Sequence, residues 1–246
     1  NPIAFVQIAF TSVGSFPLMA LPAFVLAGAL MEAAGISKRL VDIAEAMAGP
    51  ITGGLGAATV LACLFFGAIS GSGPATTAAV GMLMIPAMTK RNYEKSYASA
   101  VTASAGGLGI IIPPALGLQP PAEAIAKFGE FESLSIPKLF VAGVVPGLIM
   151  AVSLMTMNYM ISKKRGYRGL TEKWSFGDIG AALRRGVWSL LAPVIILGGI
   201  YTGLFTPTES AIVAIFYTLF VGIFLHRELK FAALLNSLRT TTWITG

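Results

Sequence analysis

Charged residues are scarce in this 246-residue sequence. Asp, Glu, Lys and Arg together make up 11% of it, and hydrophobic residues make up 55%. Soluble globular domains carry roughly 25% charged residues, so the composition excludes that class. With a mean hydropathy of +0.79, the sequence indicates an integral membrane protein. Its apolar runs are continuous rather than alternating, which favours an all-α bundle of several spans over a β-barrel.

Cysteine and histidine occur once each. The lone Cys63 excludes an intrachain disulfide. Intramembrane serine proteases need a Gly-x-Ser-Gly nucleophile and a buried histidine base. Neither Ser70 nor Ser72 has glycine two positions before it, and His226 lies at the end of an apolar run. The sequence also lacks a Gly-x-x-x-x-Gly-Lys-[Ser/Thr] motif for ATP, so no enzyme activity is predicted.

The formal net charge is +6. Because the Lys and Arg residues cluster between apolar runs, they fit cytoplasmic loops under the positive-inside rule rather than a nucleic-acid surface. The chain begins without Met and ends inside a new apolar segment, so we expect it to be a fragment of a longer protein.

Apolar runs near the length that crosses a hydrocarbon core, about 20 residues for about 30 Å, recur along the chain. The predicted spans are residues 16–34, 139–161, 187–205 and 210–225. Amphipathic stretches at 37–49 and 173–186 predict interfacial helices, and residues 231–246 predict the start of another helix.

The apolar stretch from Gly54 to Met88 is interrupted by glycine, serine and proline at residues 70–74. A straight helix of about 35 residues would be about 52 Å long, too long for one crossing. Basic residues flank the stretch on both sides, so its ends belong on the same side of the membrane. These features predict a re-entrant helical hairpin with its tip at 70–74, although two short full crossings also fit the charges.

A second interruption lies at residues 96–118. Gly106, Gly107 and Gly109 loosen a helix, and Pro113-Pro114 ends its first half. Residues 119–138 are polar and mildly acidic, as expected for a loop on the outer side. The segment therefore predicts a discontinuous helix at membrane depth.

Backbone can unwind within a membrane only where it is buried in protein or lines a polar cavity. Unwound carbonyls and serine hydroxyls are hard, uncharged oxygen donors that suit Na⁺. Amide groups at the start of the second hairpin helix suit an anionic substrate group, which makes Ser72, Gly73, Pro74 and Thr76 candidate substrate-binding residues. The alternative is that these small residues only let helices pack closely.

Glu209 is the one acidic residue between positions 186 and 225. An intramembrane carboxylate is a candidate for ion or proton binding. However, Thr206-Pro207-Thr208-Glu209 also matches a helix capping box, with the hydroxyl at the N-cap and Glu three residues later. Both interpretations stay open at this point.

Several motifs in combination resemble the large membrane subunit of tripartite ATP-independent periplasmic (TRAP) transporters, of the sialic-acid or C4-dicarboxylate type. The motifs are residues 67–76 (GAISGSGPAT), Pro86, residues 107–114 (GLGIIIPP), residues 142–147 (AGVVPG) and residues 205–211 (FTPTESA). The resemblance implies an elevator-type transporter of the ion-transporter superfamily in the bacterial inner membrane. Its expected partners are a small membrane subunit, a periplasmic substrate-binding protein, an organic acid and membrane lipid.

The resemblance also implies a division of the chain and a sodium site. Residues 1–50 and 139–246 would be scaffold, including the interfacial helices. Residues 51–138 would be part of the transport domain, with a re-entrant hairpin at 54–89 and a broken helix at 96–118. The Na⁺ ligands carried over from the family are Ser70, Ser72 and the carbonyls around Gly107, Gly109, Ile112 and Pro114.

Two departures from the family pattern qualify this expectation. The sequence stops before the second, inverted hairpin of the family, so a second Na⁺ site should be missing. Ala115 follows the proline pair where the family usually has serine, which removes one possible hydroxyl ligand. The expected function is Na⁺-coupled organic-acid import, and the alternative is a membrane scaffold or assembly subunit that does not itself transport.

Overall fold

The computed structural model describes residues 16–111, 136–169 and 175–245, and in these ranges the regular structure is entirely helical. Ile112 and Pro114, most of the predicted loop at 119–138 and the first 15 residues lie outside them. The helices are α1 (Phe16–Ala33), α2 (Ile36–Ala48), α3 (Gly54–Ser70), α4 (Gly73–Lys90), α5 (Lys95–Gly106), α6 (Leu108–Ile111), α7 (Ile136–Arg165), α8 (Phe176–Tyr201), α9 (Pro207–Phe220) and α10 (Phe231–Thr245), and a short π-helix (Val221–Leu225) extends α9.

Three of the described helices are long and apolar enough to cross a membrane: Val141–Arg165, Phe176–Tyr201 and Thr208–Leu225. Large apolar side chains on them are exposed, among them Val152, Val194 and Phe216. Long apolar helices with large exposed apolar side chains are stable in contact with lipid rather than water. The predicted all-α membrane class is therefore confirmed.

The helices fall into two groups. One group consists of α3 to α7, in which α7 lies against α3, α5 and α6. In the other group α1 lies against α9 and α10, and α8 lies against α9. Helix α2 touches both groups through α3 and α8.

Helices α3 and α4 fold back on each other at Gly71. This residue has φ 60°, a left-handed conformation that glycine adopts without strain, and its N–H donates to the Gly67 carbonyl at 3.0 Å. Ser72 is extended and caps α4, with Pro74 in the first turn. Near the other end of the pair, the Thr59 hydroxyl lies 3.6 Å from the Met88 sulfur, so the two helices run antiparallel. The re-entrant position of this hairpin in the membrane stays a prediction.

The second interruption is narrower than the glycine cluster suggests. Helix α5 ends at Gly106 and α6 begins at Leu108, so Gly107 alone separates them. The Gly107 N–H donates to the Ser104 carbonyl at 3.3 Å. The regular helix is thus interrupted at a single turn residue within the described part of the chain.

The predicted separation of an interfacial helix at 173–186 from a span at 187–205 is wrong within the described residues. Helix α8 runs without a break from Phe176 to Tyr201. Gly186 does not end it, because glycine there serves close packing: a Cβ at this position would lie 2.5 Å from Ile43 Cδ1 of α2. Glycine weakens an isolated helix, but at position 186 it allows α8 and α2 to approach closely, and the backbone stays helical.

His226 follows the π-helix and ties it to the end of α1. Its Nδ1 lies 2.9 Å from the Ala34 carbonyl oxygen, and since a carbonyl can only accept, Nδ1 carries the proton. The Nε2 atom is buried without a hydrogen-bond partner among the described residues. Burial lowers the pKa of His226, with nearby Arg39 acting in the same direction and Glu228 in the opposite one.

Acidification is therefore expected to destabilise this junction. The ordinary pKa of histidine is about 6.5, and in the folded protein the pKa of His226 lies below it. Such a group stabilises the fold fully at pH values above about 6.5, and this contribution is lost as the pH falls through the lowered pKa. The melting temperature of the detergent-purified protein should drop between pH 7.5 and pH 5.5, and less so in His226→Asn, which does not titrate. An equal drop in both proteins would show that His226 is not responsible.

Candidate functional site

The hairpin tip closes on itself through three hydroxyl-bearing residues. The Thr76 hydroxyl donates to the Ser72 carbonyl at 2.7 Å. The Ser70 hydroxyl lies 2.8 Å from the Thr76 hydroxyl. The Ser72 N–H donates to the Ser70 Oγ at 3.3 Å. Ser70 and Thr76 are 1% and 0% exposed. The tip is thus a buried ring of hydrogen bonds rather than a solvated loop.

This ring leaves lone pairs unused. The Ser72 carbonyl oxygen lies 2.7 Å from the Thr76 hydroxyl and 3.3 Å from the Ser70 hydroxyl. The shorter bond belongs to Thr76, so we assign the proton between the two hydroxyls to Ser70. Each hydroxyl oxygen has two lone pairs and accepts one hydrogen bond within the ring. One lone pair on each oxygen therefore has no hydrogen-bond partner among the described residues.

Helix α6 lies directly against the tip. A Cβ on Gly109 would lie 2.4 Å from Thr76 Oγ1 and 2.9 Å from the Ser72 carbonyl oxygen. A Cβ on Gly67 would lie 2.8 Å from Gly109 Cα. Glycine at both positions lets the two backbones approach to a distance that any other residue prevents. The structure therefore brings Ser70, Ser72 and Gly109 together.

The start of α4 and the end of α5 meet in the same way. A Cβ on Gly106 would lie 1.8 Å from Thr77 Oγ1, and one on Gly73 would lie 3.4 Å from the Gly106 carbonyl oxygen. In contrast, a Cβ on Gly107 would meet only the Ser104 carbonyl of its own segment, at 3.3 Å. Gly107 separates α5 from α6, whereas Gly106 and Gly109 make the close contacts with α4.

The oxygen donors at the tip carry no formal charge. Among the described residues, no group of three His, Cys, Asp or Glu side chains is placed to hold a metal ion, which leaves no anionic cage for a divalent ion there. Divalent ions are usually held by carboxylate ligands, whereas a hard monovalent cation can be held by neutral hydroxyl and carbonyl oxygens. The residues present thus fit a sodium ion.

Glu209 forms the capping box that the sequence offers as one of two interpretations. The Glu209 carboxylate accepts a hydrogen bond from the Thr206 backbone N–H at 2.8 Å. The Glu209 backbone N–H donates to the Thr206 hydroxyl at 3.3 Å. The carboxylate is exposed at the start of α9. These contacts account for Glu209 as the third residue of the helix, where it completes the capping box of α9.

Asn158 is a buried polar residue that the sequence analysis missed. It is 2% exposed on α7, where its Oδ1 accepts from the Tyr97 hydroxyl at 2.9 Å and its Nδ2 donates to the Gly53 carbonyl at 3.1 Å. It therefore connects α7 with α5 and with the residue that precedes α3. A single asparagine within an apolar span is the signal that could have identified it.

The comparison with known proteins supplies the family. Residues 2–246 match the family described as the DctM component of the tripartite ATP-independent periplasmic transporter. Among the curated relatives, the isethionate TRAP transporter permease protein DctMQ of Oleidesulfovibrio alaskensis is 48% identical over 93% of this chain and 35% of its own length. The C4-dicarboxylate large permease protein of Pseudomonas aeruginosa is 41% identical over 87% of this chain and 48% of its own length.

The sialic acid TRAP transporter permease protein SiaT of Haemophilus influenzae is 39% identical over 96% of this chain and 37% of its own length. The chain thus spans about half or less of these relatives. They are bacterial permeases and not enzymes, and the apolar helices of this chain agree with an integral protein of the inner membrane. This chain belongs to the DctM family of tripartite ATP-independent periplasmic transporters.

Proposed function

We propose that this chain forms part of the transport core of a sodium-coupled secondary transporter that imports an organic anion. The observation that carries the proposal is the buried ring of Ser70, Ser72 and Thr76 packed against Gly109. It offers free oxygen lone pairs without a charged ligand, which is a suitable environment for Na⁺. Ile112 and Pro114 would add carbonyl ligands in the segment that follows α6.

The substrate would lie beside the ion, at the start of α4. The three relatives named above carry isethionate, C4-dicarboxylates or sialic acid in their names, and each of these compounds has a sulfonate or carboxylate group. The first turn of the 18-residue helix α4 attracts such a group through its amide N–H donors. Ser72 already caps the Ala75 N–H at 3.4 Å, so an anion there competes with the Ser72 side chain. Gly73, Pro74 and Thr76 complete the proposed substrate contacts.

The movement we propose is an elevator motion of the re-entrant hairpin. Helix α7 would move with it, because buried hydrogen bonds from Asn158 join α7 to the hairpin and to α5. We therefore propose a boundary between moving and static parts after α7, not before it. A small membrane subunit would brace the remaining helices, and a periplasmic binding protein would deliver the substrate.

Removing both tip hydroxyls tests the sodium site. In proteoliposomes that contain the full-length subunit with its membrane partner and binding protein, Ser70→Ala plus Thr76→Val should raise the Na⁺ concentration for half-maximal uptake about tenfold or more, since lost charge-assisted contacts are worth about 1.5 kcal/mol or more. The matched control is Ser153→Ala plus Thr156→Val. Those exposed hydroxyls on α7 bond only to their own helix and should leave uptake unchanged.

The same assay separates the transporter from the alternative scaffold function. Uptake driven by an imposed sodium gradient in the wild-type assembly supports transport by this subunit. An unchanged sodium dependence in the double variant would contradict the site, and absence of gradient-driven uptake in the wild type would favour the scaffold.

A further inference from the structure

A small cavity lies at the end of the hairpin opposite its tip. It has a volume of about 80 Å³ and is lined by Leu55, Arg91, Tyr93, Arg168 and Gly169. One water needs roughly 10–15 Å³ by this measure, so the cavity has room for a small oxyanion. Its lining comes from α3, from the turn after α4 and from the segment after α7, three parts of the chain that are distant in sequence.

These three parts are held together by specific contacts. The rings of Tyr93 and Tyr167 stack with centroids 4.0 Å apart, and the Gly53 N–H donates to the Tyr167 carbonyl at 3.1 Å. Gly169 lies so close to Pro50 that a Cβ there would be 2.8 Å from the Pro50 carbonyl oxygen. The cavity is therefore a consequence of fixed packing at this end of the molecule.

The charge around the cavity is strongly positive. Residues 90–95 and 163–169 contain seven Lys and Arg side chains and one carboxylate, that of Glu94. Glu94 pairs with Arg165, and among the described residues neither Arg91 nor Arg168 forms an ion pair within 4.0 Å. Glu45 of α2 is the nearby acidic group: burial and Asp42 raise its pKa, and Arg91 lowers it.

Tyr93 adds a neutral hydrogen-bond donor to a lining that also includes Arg91 and Arg168. Its side chain is 5% exposed, and burial raises the pKa of Tyr93 to about 12, so the phenol keeps its proton at physiological pH. Its hydroxyl reaches the Arg168 carbonyl only at 3.5 Å, the outer limit of a hydrogen bond, and can turn to a better acceptor. Arginine forks and a phenol match the oxygen atoms of a phosphate group.

We propose that the cavity between Arg91, Tyr93 and Arg168 binds a phosphate-bearing anion. The ligand chemistry is a tetrahedral phosphate that both guanidinium groups contact. It can come from the headgroup of an anionic phospholipid, since basic residues next to membrane helices attract such lipids, or from free phosphate. Bound there, it would link the ends of α4 and α7 by bridging two positive segments.

The test compares two charge-matched double variants of the full-length subunit, purified in detergent with its membrane partner. Arg91→Gln plus Arg168→Gln removes the cavity's cations. Lys163→Gln plus Lys164→Gln removes the same charge from the neighbouring surface and leaves the cavity intact. Native mass spectrometry measures retained dioleoyl phosphatidylglycerol against phosphatidylcholine, and thermal unfolding measures the response to inorganic phosphate.

We expect the arginine variant to retain about tenfold less phosphatidylglycerol than the wild type, and the lysine variant to match the wild type. If inorganic phosphate stabilises the wild type and the lysine variant but not the arginine variant, while phosphatidylglycerol is not retained, the ligand is a soluble phosphate. Where the double variant is not monodisperse, each single arginine variant should show a several-fold loss. Equal behaviour of the arginine and lysine variants with both probes would overturn the proposal.

Discussion

Replacing Gly67 with alanine is expected to lower sodium-driven uptake at least about tenfold. A tenfold loss corresponds to weakening the binding free energy of the site by roughly 1.4 kcal/mol. The new methyl carbon would lie 2.8 Å from Gly109 Cα, closer than non-bonded carbons approach, and neither atom can rotate away. Overpacking of this kind costs about 1–3 kcal/mol. The hairpin tip and α6 must then separate, and the oxygen ligands separate with them. Uptake in proteoliposomes, normalised to folded protein, measures the effect.

Gly198→Ala is the matched control. Gly198 lies within α8, and a Cβ there has no described atom within 4 Å. The same chemical change in a membrane helix should therefore leave uptake as it is. Gly109→Ala should behave like Gly67→Ala, because its methyl group would meet Thr76 Oγ1 at 2.4 Å. If all three variants transported equally well, the contact between tip and α6 would not be needed for function.

The position of the hairpin tip could be read from the sequence because its residues are locally decisive. Gly71 adopts φ 60°, Ser72 caps the next helix and Pro74 fits its first turn, so each residue favours the break independently of its surroundings. Glu209 is similar, since a capping box involves residues only three positions apart. Local chemistry of this kind does not depend on the tertiary fold.

Features that depend on a distant partner were harder to predict. The sequence predicts an interfacial helix that ends at residue 186, yet α8 continues through Gly186, where the absent side chain leaves room for Ile43 of α2. Gly107 was a predicted ligand through its carbonyl, which stays a prediction, whereas Gly106 and Gly109 make the close contacts with α4. The periodicity of one segment does not identify which other segment it will touch, and glycine serves both flexible and close-packed sites.

Asn158 is the clearest case of such a partner-dependent residue, and its replacement by leucine is expected to have a large effect on stability. The change leaves the Tyr97 hydroxyl and the Gly53 carbonyl without their buried partners. Each unsatisfied buried group costs about 1–3 kcal/mol, so the free energy of unfolding should fall by about 2 kcal/mol or more. The melting temperature in detergent measures this, and Asn236→Leu, at an exposed position of α10, should change it little.

A double-mutant cycle isolates the hydrogen bond from other effects of the substitution. Tyr97→Phe alone should destabilise the protein by about 1 kcal/mol because it removes the 2.9 Å bond to Asn158 Oδ1. In the Asn158→Leu background the same change should cost almost nothing, since the hydroxyl has already lost that acceptor. The difference is the coupling energy, for which membrane proteins give about 0.6 kcal/mol on average and about 1.7 at most.

Tyr159→Phe, at an exposed position of the same helix as Asn158, should show no coupling. Strictly additive effects of Tyr97→Phe and Asn158→Leu would mean that α7 is not tied to α5 through this bond. The bond from Asn158 to the Gly53 carbonyl would then be the remaining hydrogen bond of Asn158 that argues for α7 moving with the hairpin.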